Sequence, residues 1–188
     1  MASHKELNTG DHAPSFSLPD SFGNIIALAD YADTYVLAVF LRYASCPFCN
    51  LTIHRLSLEE KLLSQNGCKV IVFVQSGSEN IQNNIHDRHG APPLPFPIIP
   101  DPEQKYYAKY GVRTSLLAAA KSIKDIPYWL KSAFQLGFNQ KAVDGNLLLV
   151  PAMFLIGPGE QRITYASYGP SFYDHRSFTE VYEQLIFK

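Results

Sequence analysis

The most constraining feature of the chain is a Cys-x-x-Cys pair, Cys46 and Cys49, which lies between an apolar segment and a helical one. Residues 35–41 (YVLAVFL) form a continuous apolar run of β-forming residues, which predicts a strand buried on both faces of a sheet. The segment after Cys49 carries leucines at helical spacing and ends at Asn66-Gly67, a usual helix stop. The pair is therefore expected to open a helix directly after a buried strand.

This position favours redox chemistry of the two thiols. Free N–H groups and the positive end of the helix dipole lower the pKa of a thiol from about 8.5. Pro47 suits the first helical turn, where its missing N–H is no loss. The spacing lets one thiol reach the other within a turn, so that a disulfide can form and reopen. We expect Cys46 to have the lower pKa, because it lies nearer the free N–H groups and is normally the more exposed of such a pair.

Two other interpretations of the pair remain, an inert buried pair and a metal site. A zinc site needs about four ligands. To complete one, the chain offers only Cys68 and scattered histidines, so we expect neither a metal nor a cofactor. Cys68 follows Gly67 at the start of a second apolar run, and we interpret it as a buried structural thiol.

Composition excludes several other classes of protein. A chain of 188 residues, 46% of them hydrophobic, fits one compact domain. Sixteen basic and seventeen acidic residues without a basic cluster argue against nucleic-acid binding. The apolar runs stay below the ~18 residues of a membrane span, and the polar start lacks a signal-peptide core. We therefore expect a cytoplasmic protein with no nucleic-acid or membrane partner.

Strands and helices alternate along the rest of the chain. Two short strands joined by a turn are predicted within residues 13–28. Further strands are predicted at residues 69–75, 98–99, 147–156 and 162–167, and helices at 79–89, from Asp101 to Gly111, at 115–138 and at 180–187. This order predicts an α/β fold with a central mixed sheet and helices on both faces.

Pro151 is a second landmark, since a proline is unusual beside a strand as apolar as AMFLI. We expect the Val150–Pro151 bond to be cis and Pro151 to lie against the Cys46–Cys49 pair. The alternative is an ordinary proline at the entry of a strand.

Together these features resemble the thioredoxin superfamily, and more closely the peroxiredoxin-like branch of the AhpC/TSA family. The resemblance is carried by residues 10–20 (GDHAPSFSLPD), 36–49 (VLAVFLRYASCPFC), 96–111 (FPIIPDPEQKYYAKYG), and 152–157 with 163–169. It implies a thioredoxin-like fold with an amino-terminal β-hairpin. It also implies a single domain over residues 1–188, with a helical insertion at about 115–146.

The active-site tetrapeptide departs from the peroxiredoxin pattern Pro-x-x-x-Thr-x-x-Cys. With Cys46 as the reactive cysteine, Val39 and Tyr43 stand at the Pro and Thr positions; with Cys49, Arg42 and Cys46 stand there. Neither register supplies the threonine. The sequence Cys-Pro-Phe-Cys is similar instead to the glutaredoxin Cys-Pro-Tyr-Cys.

The resemblance implies a thiol-disulfide oxidoreductase with peroxidase, and so antioxidant, activity through Cys46 and Cys49. It implies a substrate-binding role for Pro151, which stands where peroxiredoxins carry an arginine. From the residues themselves we also expect such roles for Arg42 and Tyr43. Arg42 favours the thiolate if its side chain turns toward Cys46, and the alternative is a surface or ion-paired arginine; Tyr43 walls the thiol pocket, and the alternative is a core residue. The expected partners are a peroxide or disulfide substrate and a thiol electron donor of thioredoxin or glutathione type, and a homodimer is left open. The alternatives are a disulfide reductase with little peroxidase activity and a non-catalytic binding module that uses the insertion for protein contacts.

Overall fold

A five-stranded mixed sheet forms the centre of the structure, a computed structural model that describes residues 5–173 and 176–186. The strand order is β5-β4-β3-β6-β7, and β1 and β2 form a separate antiparallel hairpin. The strands are β1 (Ser17–Pro19), β2 (Ile25–Ala27), β3 (Tyr35–Phe40), β4 (Cys68–Val74), β5 (Ile98–Pro100), β6 (Ala152–Ile156) and β7 (Ile163–Tyr168).

Helices cover both faces of the sheet. They are α1 (Pro47–Gln65), α2 (Ser78–Ile81), α3 (Asp87–His89), α4 (Lys105–Lys109), α5 (Leu116–Lys121), α6 (Ile126–Leu130) and α7 (Arg176–Ile186). Turns of π-helix at Gln82–His86 and Lys131–Gln135, and of 3-10 helix at Leu28–Tyr31 and Ser122–Asp125, complete the helical segments. The predicted α/β architecture with a mixed sheet and an amino-terminal hairpin is confirmed.

Strand β3 is central because its side chains are apolar on both faces. It pairs in parallel with β4, from Tyr35 opposite Cys68 onward, and antiparallel with β6, ending with Phe40 opposite Ala152. One face packs against α1, and the other packs against a cluster of aromatic rings that includes Tyr107. The strand ends at Phe40, so the turn that follows, from Leu41 to Cys46, is anchored at the centre of the sheet.

Two helix boundaries differ from the predicted ones. The helix expected from Asp101 starts at Lys105, because the Asp101 carboxylate accepts hydrogen bonds from the N–H groups of Lys105, Tyr106 and Tyr107. An acceptor that caps a helix stands before it rather than in it. The closing helix expected at 180–187 already begins at Arg176, and residue 187 lies outside the described residues.

The strand expected at residues 147–156 begins only at Ala152, because the residues before it pair with the start of the insertion. Val150 N–H donates to Arg113 O (3.0 Å), and Ser115 N–H donates to Leu148 O (2.9 Å). The two ends of the insertion are thereby joined at its base. Residues 116–135 of the insertion are helical, as expected, whereas the single-domain organisation of residues 1–188 stays a prediction.

The expected cis bond before Pro151 is wrong. In the described residues the cis peptide bond is Ala91–Pro92, and Val150–Pro151 is trans. The Val150 N–H donates to the Arg113 backbone carbonyl, and the Pro151 carbonyl accepts a hydrogen bond from Gly169 N–H (2.9 Å). Pro151 is thus an ordinary strand-entry proline, which needs no N–H of its own at the first position of a strand.

Among the described helices, none combines the length and the apolar character of a membrane span. The described residues also contain no group of three or more His, Cys, Asp or Glu side chains that could hold a metal ion.

Candidate active site

The two cysteines lie where β3 gives way to α1. Cys46 is the N-cap residue of α1, with extended backbone angles (φ −67°, ψ 122°), and Pro47 occupies the first helical position. Both thiols are free, and both residues are buried, with Cys46 1% and Cys49 2% exposed. The expectation that Cys46 is the more exposed of the two is therefore wrong, because both thiols lie within the core cluster between the sheet and α1.

Arg42 links both sulfur atoms. Its backbone N–H donates to Cys49 Sγ (3.3 Å), and its Nη1 lies 3.7 Å from Cys46 Sγ. Its guanidinium stacks 3.9 Å above the Phe172 ring, and Nη2 donates to Leu147 O. Sequence alone left open whether this side chain turns toward the cysteine, and the structure shows that it does.

The charge of Arg42 is buried, since the residue is only 4% exposed. Among the described residues, no carboxylate lies within 4.0 Å of the Arg42 guanidinium, and the ion pairs are formed by other side chains. A buried cation needs a compensating negative charge. The thiolate of Cys46 can supply it.

The two thiols have opposite pKa shifts. Burial raises the pKa of Cys46, but the hydrogen bond from the Cys49 thiol, the Arg42 charge and the N–H groups of Cys49 and Phe48 outweigh burial and lower it to about 6. Burial and the neighbouring Cys46 thiolate raise the pKa of Cys49 well above its ordinary value. At neutral pH Cys46 is thus a thiolate and Cys49 a thiol, which is the order expected from sequence.

Residues 139–147, here called the cover, lie against the turn that leads to the pair. Its contacts with the turn before α1 are polar. Gln140 Nε2 donates to Tyr43 Oη (2.8 Å), and Ser45 Oγ donates to Ala142 O (2.8 Å). Gly145 approaches Tyr43 so closely that a Cβ on this glycine would stand 3.0 Å from Tyr43 Cβ. Sequence reasoning predicted the insertion but not its place over the site.

Tyr43 stands in the wall of the site, with its side chain buried. Burial, and next the charge of Cys46, raise the pKa of Tyr43 to about 12. The hydroxyl therefore keeps its proton at neutral pH and can donate it. In the register with Cys46 as the reactive residue, this hydroxyl occupies the sequence position of the peroxiredoxin threonine.

Asn50 and His89 were missed by sequence reasoning. Asn50 is fully buried one helical turn after Cys46, and its Nδ2 donates to Ala44 O (2.7 Å) and Cys46 O (3.1 Å). His89 Nε2 lies 3.2 Å from Asn50 Oδ1 and donates to it, since the amide nitrogen is already a donor. These bonds fix the turn that carries Cys46. The one available signal was an amide residue at the i+4 position from Cys46.

Pro151 lies at the end of the sheet that carries the site. It lines a small cavity with Thr52 of α1 and with Phe172, the ring on which Arg42 stacks. Its expected contact with the Cys46–Cys49 pair stays a prediction.

Cys68 lies at the far end of the sheet from the site. It stands opposite Tyr35 at the start of β3, roughly 17 Å along the strand from Phe40 at ~3.3 Å per residue. Burial raises the pKa of the Cys68 thiol to about 12. Both facts agree with a structural thiol.

An α/β sheet with an activated thiolate and a protonated partner thiol at a strand-to-helix junction defines a thiol oxidoreductase. The chain belongs to the AhpC/TSA family, whose model matches residues 9–165. It is a peroxiredoxin-like thiol oxidoreductase, as the sequence predicted.

Similarity to known proteins agrees with this assignment. Rv2521 of Mycobacterium tuberculosis (strain ATCC 25618 / H37Rv), provisionally named a peroxiredoxin, is 28% identical over 145 residues, which cover 76% of this chain and 87% of the relative. The structure of peroxidoxin BcpB from the same species superimposes with a TM-score of 0.67 at 17% identity, over 96% of this chain and 99% of that chain. A cysteine-to-serine mutant of Xylella fastidiosa PrxQ gives a TM-score of 0.69 at 13% identity, over 96% of both chains. The predicted thioredoxin-like fold is thereby confirmed.

Proposed function

We propose that the protein reduces peroxides through a Cys46–Cys49 redox pair, with Cys46 as the nucleophile. The observation that carries the proposal is the position of Cys46 Sγ, which lies at the start of α1 and 3.7 Å from Arg42 Nη1. The hydrogen bond from the Cys49 thiol, the Arg42 charge and the N–H groups at the start of α1 lower the pKa of Cys46, while burial and the neighbouring Cys46 thiolate raise that of Cys49. Cys46 is therefore already the nucleophile that the first step needs, whereas Cys49 gives up its proton when it attacks in the second step.

In the first step the Cys46 thiolate attacks one oxygen of the peroxide, and the O–O bond breaks. Cys46 is oxidised to a sulfenic acid, and the other oxygen leaves as water or an alcohol after it takes up a proton. The Arg42 guanidinium and the Tyr43 hydroxyl are the donors proposed to bind the peroxide oxygens, since both border Cys46 and both carry protons at neutral pH. Tyr43 thus takes the role that the threonine has in typical peroxiredoxins.

In the second step the Cys49 sulfur attacks the sulfenic sulfur of Cys46. The S–O bond breaks, one water leaves, and a Cys46–Cys49 disulfide forms. Two equivalents of an external thiol then reduce this disulfide by exchange, and the donor is left as its own disulfide. We propose a donor of thioredoxin or glutathione type.

Burial of the pair favours a small oxidant over a disulfide substrate. Cys46 is 1% exposed under the cover, and an attacking thiolate must come into line with the bond that it breaks. A peroxide needs room for only two oxygen atoms beside the sulfur. A disulfide substrate is bulkier and needs a larger displacement of the cover. The sequence Cys-Pro-Phe-Cys keeps a glutaredoxin-like disulfide reductase as the second candidate.

Stopped-flow oxidation of the reduced protein tests these candidates side by side with hydrogen peroxide, an organic hydroperoxide and oxidised glutathione. The proposal predicts faster oxidation by either peroxide than by oxidised glutathione, at a rate that follows deprotonation of Cys46. Preference for oxidised glutathione by about ten-fold or more would favour the reductase.

A redox titration tests the third interpretation, a non-catalytic binding module. The proposal predicts a two-electron dithiol–disulfide couple within the range of cytosolic thiol buffers. A pair that stays reduced across that range would identify a binding module.

A further inference from the structure

The helical part of the insertion, residues 116–135, turns its large apolar side chains away from the protein. Leu116, Ile123 and Phe134 are 74%, 70% and 76% exposed, and Ile126 and Leu130 are also exposed. Their spacing of seven, three and four residues places them along one side of the helical segment. The insertion therefore presents a continuous apolar row, here called the outer row: Leu116, Ile123, Ile126, Leu130 and Phe134.

The side of the same segment that faces the protein carries small and polar residues. The buried positions include Ala118, Ser122, Asp125, Ser132 and Ala133. Ser132 Oγ donates to Pro47 O (2.7 Å), which ties this side to the start of α1. A surface helix of a globular protein normally buries its large apolar residues and exposes its polar ones. Here the arrangement is reversed, and an exposed apolar stripe of this kind marks an interaction surface.

Positive charge accompanies the outer row. Lys121, Lys124 and Lys131 are exposed beside it, and the exposed Lys141 follows the segment, whereas Arg113 before it is ion-paired with Glu6. The carboxylates within residues 113–146 are two: Asp125, which is buried, and Asp144, which accepts hydrogen bonds from Ser76 and Asn80. The chain as a whole has a formal net charge of −1, so the basic character is local to the insertion.

We propose that the outer row docks on an anionic membrane surface. Exposed lysines that flank an apolar stripe are the pattern of helices that lie in the bilayer interface, where the stripe enters the acyl boundary and the lysines reach the phosphates. A second copy of the chain fits less well, because it would bring two lysine rows together without exposed carboxylates from this segment. A protein partner also fits less well. A typical protein interface carries about ten direct hydrogen bonds, and the outer row offers few hydrogen-bonding groups.

This inference is independent of the redox chemistry. The sequence argument against a membrane partner rested on the absence of a spanning segment, and a surface-bound helix needs none.

Vesicle co-sedimentation of the full-length protein tests the proposal. The probes are vesicles of phosphatidylcholine alone and vesicles with about a third phosphatidylglycerol, at low and at physiological salt. We expect partition into anionic vesicles to be about ten-fold or more above that into neutral ones and to fall with added salt. The variant Leu116→Ser/Ile123→Ser/Phe134→Ser should lose about ten-fold or more of the binding. The variant Lys121→Glu/Lys124→Glu/Lys131→Glu should lose the preference for anionic lipid.

Matched controls change exposed residues elsewhere. Phe22→Ser/Ile25→Ser removes two exposed apolar side chains from the hairpin, and Lys61→Glu/Lys69→Glu reverses two exposed charges; both should bind like wild type. Equal partition into the two kinds of vesicle, or equal losses in the controls, overturns the proposal. A third result would also overturn it: the wild type does not bind vesicles but forms a dimer in analytical ultracentrifugation, and the triple serine variant abolishes that dimer. The outer row would then be a subunit interface.

Discussion

Replacing Arg42 by methionine should raise the pKa of Cys46 and slow its reaction at neutral pH. The Arg42 Nη1 atom lies 3.7 Å from the Cys46 sulfur, and both groups are buried. At an effective dielectric constant near 20, two unit charges about 4 Å apart interact by about 4 kcal/mol, which corresponds to roughly 3 pKa units. Methionine keeps much of the apolar stem and removes the charge, while burial continues to disfavour the thiolate.

The consequence for reactivity follows from the thiolate fraction. With the pKa at about 6, roughly nine-tenths of Cys46 is ionised at pH 7. A rise of only two units would leave about a tenth ionised, so that the rate at pH 7 falls about ten-fold. The loss shrinks as the pH rises, because more of the variant's thiol ionises.

The assay is the rate of iodoacetamide alkylation of Cys46 between pH 4 and pH 10, with the modified peptide identified by mass spectrometry. Wild type should show a midpoint near 6 and Arg42→Met a midpoint near or above 8. Arg55→Met is the matched control, since Arg55 lies on α1 and forms an ion pair with Glu59 (2.8 Å). A midpoint that stays near 6 in Arg42→Met refutes the assignment of Arg42 as the counter-charge.

Three further predictions concern the surroundings of the pair. Gly145→Ala should shift the cover and speed alkylation of Cys46 several-fold, whereas Gly77→Ala, whose new Cβ meets nothing within 4 Å, should not; equal rates would show that the cover does not limit access. Burial, followed by the charges of His54, His86 and Arg88, lowers the pKa of His89 to about 4, so the free energy of unfolding should decrease as the pH falls from about 6.5 to 4. His89→Gln should flatten that decrease in urea titrations, by about 2 kcal/mol after allowance for solvent screening, and an unchanged slope would contradict the assignment. Cys68→Ser should leave peroxide turnover unchanged and cost about 1 kcal/mol of stability, and a large loss of turnover would contradict its structural role.

The elements around the pair were predictable because local patterns specify them. The apolar runs of β3 and β4, Pro47 at the start of α1 and the stop at Asn66-Gly67 are each encoded within a few residues. The place of Cys46 at the start of α1 was predictable from the same local patterns, and the N–H groups there favour its thiolate. The larger contributions that lower the pKa of Cys46 come from the Cys49 hydrogen bond and the Arg42 charge.

The surroundings of the pair were not predictable, because long-range contacts specify them. The cover meets Tyr43 through Gln140, which is 97 residues away in sequence. Arg42 is buried because Phe172 and Leu147 converge on it from two distant segments. The prediction for Pro151 was wrong for a similar reason, since Val150 and Pro151 pair with Arg113 and Gly169, which are distant in sequence or lie beyond the strand.

The central claim is that Cys46 attacks and Cys49 resolves, and intact-protein mass spectrometry after one equivalent of hydrogen peroxide tests it most directly. Wild type should lose two hydrogens as the disulfide forms, and Cys46→Ser should remain unoxidised. Cys49→Ser should gain one oxygen and stop there, because the sulfenic acid on Cys46 lacks its partner. If Cys49→Ser turns over like wild type while Cys68→Ser stalls, the resolving thiol is Cys68 and the account is contradicted.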